Sequence, residues 1–306
     1  MAGPDFKIKV GLLGYGSIGE RHAINLEDLG QYVYVYEPKD HPPGVREWVI
    51  DKSAALVVCS PSKCHGKDLV DVVNAGKHVL VEKPIGYDSP PFIQGLLQGT
   101  RYKNPDLIIA TGFNCRYHPC VKTAKAIMTS GILGKIKAAG FVVRQRNNKE
   151  AYLRDGLIRN WLSHEIDIAH HLLGEGTVEF CQAEDQVEAT LLMKFDQVEG
   201  YVSIQGDYVT KPFQRYFWIK GSRGTIHANL ETFEFWKNDD PYLDEALISN
   251  WDQTYIDEMQ DFINSIRVGQ HLFPLATGED GCRALYTVMA ARHKAGLEEI
   301  EYRSIK

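Results

Sequence analysis

The stretch His78-Val79-Leu80-Val81-Glu82-Lys83-Pro84 decides how the rest of the chain is interpreted. Its three central apolar residues are typical of a short buried strand, and Pro84 cannot continue that strand. In an open α/β sheet the carboxyl ends of the strands border the ligand crevice, so Lys83 would enter a binding site. The alternative interpretation is a solvated Glu82–Lys83 pair at a strand end, as most surface ion pairs are.

Composition narrows the classes of protein to which the chain can belong. It has 306 residues, enough for two domains, and a net charge of −6 with no basic stripe, which argues against nucleic acid as a partner. No apolar run is long enough to span a bilayer, and the N-terminus has no secretory pattern, so neither a membrane nor export is expected. None of the six cysteines forms a CxxC pair, which favours free thiols and a cytoplasmic location.

A glycine motif near the N-terminus predicts a dinucleotide site. Residues 7–13 are strand-like and run into Gly14-Tyr15-Gly16-Ser17-Ile18-Gly19, after which a helical pattern begins at Glu20. In this strand–turn–helix context the glycines permit a tight turn, close approach of a pyrophosphate and close helix packing. The helix N-terminus adds N–H groups for the phosphates. All six residues of the motif are therefore predicted to contact the cofactor.

Glu37 sets the expected choice of cofactor. It ends the next strand-like run, residues 31–36, where a carboxylate can accept hydrogen bonds from both ribose hydroxyls and repels a 2′-phosphate. This favours NAD. Lys39 lies two residues further on and could partner a 2′-phosphate, so NADP remains an alternative. A loop carboxylate with no ligand is the other interpretation of Glu37.

Strands and helices then alternate, which predicts a doubly wound parallel sheet. Predicted strands cover 54–59, 79–81 and 107–112, and predicted helices cover 63–75 and 89–98. Ser60 and Pro61 follow one strand at the point where the cofactor would pass. His65, near the start of the next helix, faces either the ligand or solvent. These three residues are included in the predicted cofactor site.

The second half of the chain begins with a predicted helix at 120–128 and a long strand at 135–146. Five basic residues lie at or after the end of that strand: Arg144, Arg146, Lys149, Arg154 and Arg159. Arginine suits bidentate contacts with anions. The group is therefore either a clamp on a substrate phosphate or carboxylate, or a charged loop.

His164, Asp167 and His171 share one face of a predicted helix at 161–173, at positions i, i+3 and i+7. Such spacing could ligate a metal, but no third strong ligand motif accompanies it, so no metal site is predicted. A core position is expected for His170 or His171. A catalytic face is expected for His164 and Asp167.

The C-terminal part is rich in strands. From Val178 onward the pattern is β-like, with runs at 187–195, 198–205, 213–220, 225–230 and 232–236. Many of these residues are aromatic, so one face of the sheet is either a subunit interface or an ordinary packing surface. A helix at 251–268 follows, and Thr277-Gly278-Glu279-Asp280 resembles a capping box that opens a last helix, to about residue 294.

The order of these motifs resembles the Gfo/Idh/MocA oxidoreductases, the family of glucose–fructose oxidoreductase and inositol dehydrogenase. The resemblance extends over nearly the whole chain and rests on the segments 14–19, 74–84, 112–119, 131–136, 163–167 and 278–281. Its most specific feature is Glu-Lys-Pro at 82–84 followed at this distance by His-Glu-Ile-Asp at 164–167. The resemblance implies an α/β fold with a Rossmann domain, which we place at 1–113. It also implies a domain with an open, mostly antiparallel sheet, which we place at 114–306, and the last helix is expected to pack back near the first domain.

By this resemblance, Lys83 contacts the reacting hydroxyl and the nicotinamide, and His164 transfers the proton. Asp167 falls where the family often holds substrate hydroxyls. Cofactor contacts are also expected for Glu82 and Asn114, and substrate contacts for Arg116 and Asn160. The sequence departs from the family at Asn160, because inositol dehydrogenase-like members carry an aspartate four residues before the histidine. An amide can orient an imidazole but cannot hold its positive charge.

The sequence therefore predicts a cytoplasmic NAD(P)-dependent dehydrogenase that forms a homo-oligomer, either a dimer or a tetramer. It would transfer a hydride between the nicotinamide and a secondary alcohol of a sugar, sugar derivative or cyclitol. One alternative is a glycoside hydrolase that uses NAD in an oxidation–elimination route and leaves no lasting NADH. The other is a non-catalytic sensor that binds a dinucleotide, which the departure at Asn160 keeps open. The substrate itself depends on loop side chains that the sequence does not place.

Overall fold

The computed structural model describes residues 7–87, 89–146, 156–184, 187–238, 240–241 and 250–297. They form two compact units. The first unit contains the described residues up to Asn114 together with Asp252–Leu285. The second unit contains the described residues of Cys115–Trp251 and those from Tyr286 onward.

The described chain alternates strands and helices at first and contains mostly strands later. The strands, in chain order, are β1 (Lys9–Leu13), β2 (Tyr32–Tyr36), β3 (Ala55–Val58), β4 (His78–Glu82), β5 (Ile109–Gly112), β6 (Ile136–Arg144), β7 (Gly176–Glu184), β8 (Glu188–Phe195), β9 (Val202–Asp207), β10 (Gln214–Gly221), β11 (Thr225–Asn229), β12 (Glu234–Lys237), β13 (Asp240–Pro241) and β14 (Ala276–Thr277). The helices are α1 (Ser17–Asp28), α2 (Val45–Lys52), α3 (Ser62–Asn74), α4 (Pro90–Lys103), α5 (Pro119–Ser130), α6 (Leu157–Asn160), α7 (Leu162–Leu173), α8 (Trp251–Val268) and α9 (Gly278–Lys294), with a 3₁₀ helix at Asn114–Tyr117. Within the described ranges, no helix has both the length and the apolar character needed to cross a membrane.

A six-stranded sheet forms the centre of the first unit, in the order β14-β5-β4-β3-β1-β2. Strands β1 to β5 pair in parallel, and β14 is antiparallel to β5 at the edge. Strand β3 is buried throughout and β4 nearly so, as expected for parallel strands covered on both faces. The strand order reverses between β1 and β3. Sheets of this kind bind ligands at that reversal, outside the carboxyl ends of the strands.

Helix α8 completes the apolar core of the first unit. Met259, Phe262 and Ile263 lie at helical spacing on α8 and are fully buried. They share one cluster with Leu26 of α1 and Leu80 of β4. The predicted periodicity of residues 251–268 is therefore confirmed, and this helix covers one face of the parallel sheet.

An eight-stranded sheet dominates the second unit, in the order β13-β12-β11-β10-β6-β9-β8-β7. Strands β6 and β9 pair in parallel, and the other neighbouring pairs are antiparallel. Buried residues alternate with less buried ones along β8, so one face of the sheet lies against the core. Helix α7 packs on β6 and β9. It is therefore a rigid element on which functional side chains can be placed.

The predicted α/β fold class is confirmed, and so is the capping box at α9. Thr277 Oγ1 accepts a hydrogen bond from the Asp280 N–H at 3.1 Å, and Asp280 Oδ2 accepts one from the Thr277 N–H at 2.9 Å. Helix α2 lies in a segment for which the sequence predicts neither a helix nor a strand; Gly44, with φ of 93°, is its N-cap and leads the chain directly into the helix. Strand β12 begins two residues later than predicted, since Phe233 has φ of 61° and interrupts the extended run.

Candidate active site

The glycine motif lies between β1 and α1 and brings neighbouring strand ends together. Gly14 has φ of 100°, and its N–H donates to Tyr36 O at 2.8 Å. A Cβ on Gly14 would lie 2.6 Å from Ser60 N, so any larger residue would force the ends of β1 and β3 apart. Glycine at this position is therefore required for the three strand ends to meet.

The same loop leaves room for a phosphate group at Gly16. Beyond its chain neighbours, no described heavy atom lies within 4 Å of the place where a Cβ on Gly16 would stand. Helix α1 begins at Ser17, and Gly16 as its N-cap has no side chain to bond the first N–H groups. An anion can therefore bind to those N–H groups. The geometry of the loop fits the pyrophosphate of a dinucleotide.

Glu37 is anchored beside this loop at the end of β2. Its Oε2 accepts a hydrogen bond from the Tyr15 N–H at 2.8 Å. Its own N–H donates to His41 Nδ1 at 3.0 Å. The half-buried carboxylate is thus held where an acid that binds ribose hydroxyls is needed. Lys39 is exposed.

His65 connects the loop after β3 with the end of β4. It is 2% exposed; its Nε2 lies 2.7 Å from Ser60 O and its Nδ1 lies 2.7 Å from Pro84 O. Ser60 Oγ donates to Asp68 Oδ2 at 2.6 Å, and Pro61 is exposed at the start of α3. His65 therefore does not face solvent, one of the two orientations considered for it. Its ring fixes the two loops at the carboxyl edge of the sheet.

Glu82 is a buried carboxylate at the end of β4, bonded to a histidine from α1. His22 Nε2 lies 2.8 Å from Glu82 Oε1, and the Lys83 N–H donates to Glu82 Oε2 at 3.2 Å. Burial alone raises the pKa of this carboxyl. The hydrogen bond and charge of His22 lower the pKa, as do the charges of Lys83 and His65, so that it lies below its usual value. The carboxyl is therefore ionised at neutral pH.

Lys83 thus starts from a backbone position that Glu82 and His22 hold in place. Its side chain is partly exposed, whereas Glu82 is buried. His22 is 0% exposed and packs edge-on against Tyr255, with 6.0 Å between ring centroids. Sequence reasoning missed His22. The available signal was its spacing, three residues after the last glycine of the motif, which puts it on the face of α1 that carries Gly19.

Asn114 connects the end of β5 to α8 within the first unit. Its Nδ2 donates to Thr254 Oγ1 at 2.8 Å, and both residues are buried. The side chain therefore fixes the start of the 3₁₀ helix. Cys115 is the next residue of this 3₁₀ helix.

In the second unit, Arg116 and Asp167 bond to each other. Arg116 Nε and Nη2 donate to Asp167 Oδ2 and Oδ1 at 2.8 and 2.5 Å, and the residues are 4% and 1% exposed. Such a two-point contact fixes both position and orientation. The pair therefore holds the 3₁₀ helix against α7. Arg215, on β10, also contacts α7: its Nε donates to Glu165 Oε1 at 2.7 Å.

His164 is the exception on helix α7. Every other residue of α7 is buried, and His164 is partly exposed. Its Nδ1 lies 3.5 Å from Cys115 Sγ. Asn160, in α6, accepts a hydrogen bond from Ser163 Oγ at its backbone oxygen, at 3.0 Å. The structure thus brings His164 and Asp167, one turn apart, against two consecutive residues of the 3₁₀ helix.

The predicted basic group is divided among separate contacts. Arg144 lies near Asp207, at 3.4 Å, and Gln205, at 3.3 Å. Arg159 is 2% exposed, and its Nη2 lies 3.6 Å from Met289 Sδ. Arg146 is exposed, and Lys149 and Arg154 lie outside the described residues. The described contacts fit structural roles for Arg144 and Arg159.

The histidines at the end of α7 have core positions, as predicted. His170 is 5% exposed, and its ring nitrogens lie 3.0 Å from Gly174 O and 2.9 Å from Thr287 Oγ1. His171 is 8% exposed. Among the residues that the structure describes, no three His, Cys, Asp or Glu side chains are grouped to hold a metal ion.

These two units define a class of protein: an α/β unit with a dinucleotide loop, and a second unit built on an open sheet. Two family models match the chain. The model described as "Oxidoreductase family, NAD-binding Rossmann fold" matches residues 45–96, and the one described as "Oxidoreductase family, C-terminal alpha/beta domain" matches residues 125–296. The chain therefore belongs to the Gfo/Idh/MocA oxidoreductase family and binds NAD. This confirms the predicted enzyme class, an NAD(P)-dependent oxidoreductase of the kind that acts on CH–OH groups.

Relatives cover almost the whole chain. Myo-inositol 2-dehydrogenase of Thermotoga maritima is 26% identical over an alignment 338 positions long, with 98% of each chain covered. Inositol 2-dehydrogenase of Rhizobium meliloti is 24% identical, with 93% of this chain and 96% of the relative covered. Levoglucosan dehydrogenase in complex with NADH and levoglucosan is similar in structure, with a TM-score of 0.83 at 19% identity, covering 95% of this chain and 98% of that chain. A UDP-N-acetylglucosamine 3-dehydrogenase from Acidithiobacillus ferrooxidans has a TM-score of 0.81 at 17% identity, with 95% and 99% covered.

Proposed function

We propose that the protein is a dehydrogenase that transfers a hydride between a secondary alcohol of a sugar, sugar derivative or cyclitol and the nicotinamide of NAD. The observation that carries the proposal is the end of β4. There Lys83 follows a buried, ionised Glu82 at the carboxyl edge of an NAD-binding sheet. The inositol and sugar dehydrogenases among its relatives support the choice of substrate class.

Lys83 and His164 are the proposed catalytic residues. The bound cofactor supplies the hydride acceptor. The Lys83 ammonium would donate a hydrogen bond to the substrate hydroxyl and stabilise the negative charge that develops on its oxygen. His164 would accept the proton that leaves this hydroxyl, as a general base. The partial exposure of His164 on an otherwise buried helix supports this role.

The remaining predicted contacts divide into direct and supporting roles. The loop 14–19 and Glu37 are proposed to bind the pyrophosphate and the ribose. Ser60, Pro61, His65, Glu82 and Asn114 are proposed to shape the same edge, as their internal contacts suggest. For Arg116 and Asp167 we propose that the pair fixes α7, and that a carboxylate at this position can also accept a hydrogen bond from a substrate hydroxyl. Asn160 is proposed to line the substrate site.

Assembly and location are part of the same proposal. We propose a first domain that binds NAD and a second that binds the substrate and carries the oligomer interface. Phe180, Tyr201 and Tyr216 are large side chains of the second unit with exposures of 49%, 57% and 37%, which supports a homo-oligomer. All six cysteines are free thiols, which supports a cytoplasmic location. Light scattering of the purified protein tests the oligomer.

The test of the function is NADH formation. The protein is first screened by thermal shift with NAD, NADP, myo-inositol, levoglucosan, common hexoses and UDP-sugars, since a ligand at about 100 times its Kd adds about 2.7 kcal/mol of stability. Compounds that shift the melting temperature are then assayed with NAD. Stoichiometric accumulation of NADH and a ketone supports the dehydrogenase. Glycoside cleavage without NADH would indicate the hydrolase route, and binding with no turnover across the panel would indicate a sensor.

Lys83→Ala tests the assigned role of the lysine. Removing a donor aimed at a developing oxyanion lowers kcat by about 100- to 1,000-fold, while NAD binding should remain. Lys67→Ala is the matched control, because Lys67 is an exposed lysine paired with Asp71 at 2.7 Å on α3. A Lys83→Ala enzyme with the turnover of the wild type would show that Lys83 has another role.

A further inference from the structure

We propose that Cys115 is a positioning residue for His164, with its thiol sulfur accepting a hydrogen bond from the Nδ1–H of the imidazole, which makes Nε2 the atom that accepts the substrate proton. This rests on the proposed function, which makes His164 the proton acceptor. The contact that carries it is the 3.5 Å distance between Cys115 Sγ and His164 Nδ1. Sulfur is a weak hydrogen-bond acceptor, so a distance of this length is normal for it.

The position of the sulfur is fixed by the neighbouring ion pair. Arg116, the next residue in the 3₁₀ helix, makes its two-point contact with Asp167, three residues after His164 on α7. Two consecutive residues of one element therefore contact two residues of α7 that lie one turn apart. Cys115 is itself 1% exposed, so packing limits the rotation of its side chain. The ion pair and the packing therefore hold the thiol beside the ring.

A thiol can donate or accept a hydrogen bond, and the proposed role of His164 determines which direction is required here. A neutral imidazole carries one proton, so Nε2 can accept a proton only if Nδ1 carries the N–H. The Nδ1–H group then donates to Cys115 Sγ. When the substrate O–H bond breaks, its proton moves to Nε2, the Nδ1 proton stays in place, and the ring becomes an imidazolium. In this arrangement the sulfur accepts the hydrogen bond before and after proton transfer, and it neither gains nor loses a proton.

A thiol and a carboxylate beside Nδ1 differ in their effect on the charged form of the ring. A carboxylate beside Nδ1 stabilises the imidazolium by charge, and a neutral thiol does not. Asn160, whose side chain is a neutral amide, does not supply that charge either. Cys115 would therefore orient the His164 ring without adding a charge that favours the imidazolium. Position 115 should control both the orientation of the ring and the pH at which it works.

The first experiment needs no turnover. In protein labelled with ¹⁵N-histidine, the nitrogen and proton shifts of the His164 ring identify which ring nitrogen carries the proton at neutral pH. We expect the Nδ1–H tautomer in the wild type, and a shift towards the Nε2–H tautomer in Cys115→Ala. A wild-type ring in the Nε2–H form, or a tautomer unchanged in Cys115→Ala, would overturn the proposal.

The second experiment uses the pH profile of kcat/KM with saturating NAD. Loss of a group that orients a functional imidazole costs about 10- to 100-fold, so Cys115→Ala should lower kcat by about tenfold with KM nearly unchanged. Cys115→Ser, which keeps a small hydrogen-bonding group, should restore part of the loss. Cys115→Asp should move the acid limb of the profile to higher pH, because a carboxylate favours the imidazolium.

Cys120→Ala is the matched control for the loss of a buried thiol. Cys120 is also fully buried, and its Sγ lies 3.8 and 3.6 Å from the backbone oxygens of Asn229 and Glu234. It should change neither kcat nor the profile. If Cys115→Ala keeps the wild-type kcat and profile while His164→Ala is inactive, the positioning role fails and the proposed function stands. If His164→Ala is fully active, the role of His164 in the proposed function fails, whatever the result at position 115.

Discussion

Each unit holds a histidine against a buried side chain, and the two contacts differ in kind. In the first unit His22 meets a carboxylate, Glu82, at 2.8 Å. In the second unit His164 meets a thiol, Cys115, at 3.5 Å. A buried carboxylate binds its partner by charge and is costly to separate from it. A thiol orients its partner through a much weaker hydrogen bond.

This difference separates support from chemistry. His22 is fully buried, so it fixes the end of β4 and the backbone from which Lys83 starts. His164 is partly exposed, and its proposed role requires it to gain and lose a proton. A strong pair therefore suits the residues that support Lys83, and a weak contact suits His164, which is proposed to exchange a proton.

The largest effect on stability is expected at the strong pair. His22→Leu leaves the Glu82 carboxylate buried without its main partner, which should lower the free energy of unfolding by about 3 kcal/mol. His22→Gln retains an N–H donor and should recover part of the loss. The measurement is urea unfolding, with amide hydrogen exchange in β4 as the local probe.

His227→Leu is the control for this prediction, because His227 is an exposed histidine on β11. It should unfold like the wild type. Equal stabilities of His22→Leu and the wild type would mean that the contact with Glu82 contributes nothing, and the comparison between the two units would fail.

A second difference between the units concerns how their stability responds to a fall in pH. His118 caps α5 in the second unit; its Nδ1 accepts from the Cys120 N–H at 3.2 Å, and its Nε2 lies 3.0 Å from Leu230 O. Burial lowers the pKa of His118 to about 3; the hydrogen bond to the Leu230 backbone opposes this lowering, and the charge of Arg215 adds a smaller lowering. The ring is therefore neutral in the folded protein, and its unprotonated Nδ1 is the cap.

The sign of the pH effect follows from these values. The unfolded chain takes up a proton at His118 near pH 6.5 and the folded chain only near pH 3, so stability falls as the pH drops through this window. Between pH 7.5 and pH 5 the loss is about 2 kcal/mol. Glu82 has a lowered pKa, so its stabilising contribution is complete above the unfolded value of about 4.3 and is lost only at lower pH.

His118→Asn isolates this contribution, because asparagine is a good N-cap that does not titrate. The stability of the variant should change much less than that of the wild type between pH 7.5 and pH 5, in urea unfolding at a series of pH values. A wild type that is as stable at pH 5 as at pH 7.5 would contradict the assignment. So would a variant that keeps the full pH dependence.

The smallest of these effects is expected at Glu37, the carboxylate that we propose binds the ribose of the cofactor. Glu37→Gln keeps the size of the side chain and removes the charge. The preference for NAD over NADP, measured as the ratio of kcat/KM values, should fall about tenfold, equivalent to about 1.4 kcal/mol. Glu27→Gln, at an exposed glutamate of α1, should leave the ratio unchanged. An unchanged ratio in Glu37→Gln would mean that Glu37 does not determine the cofactor.

Local patterns predicted much of the fold. The glycine motif, the capping box at Thr277 and the apolar spacing of Met259, Phe262 and Ile263 each depend on residues close in sequence. For the same reason the sequence predicted the strand end that carries Lys83. These features follow from backbone geometry and periodicity alone.

Contacts between distant residues explain what the sequence could not predict. Sixty residues separate His22 from Glu82, and 49 separate Cys115 from His164. Composition indicated only that Cys115 is a free thiol. The partner of Cys115 depends on which face of α7 lies against the 3₁₀ helix. The ion pair between Arg116 and Asp167 sets that face, and sequence spacing does not predict this pair. Helix α2 was missed because it is short and begins at a glycine.

The most direct test of the central claim is a double-mutant cycle on turnover with Lys83→Ala, His164→Ala and the double variant. The proposed function assigns both side chains to one reacting hydroxyl, and groups that act as a unit give strongly non-additive losses. Each single variant should lose about 100-fold or more in kcat, and the double variant should be scarcely slower than the slower single. A double variant whose loss is the product of the two single losses would show that the lysine and the histidine act independently, and would contradict the account.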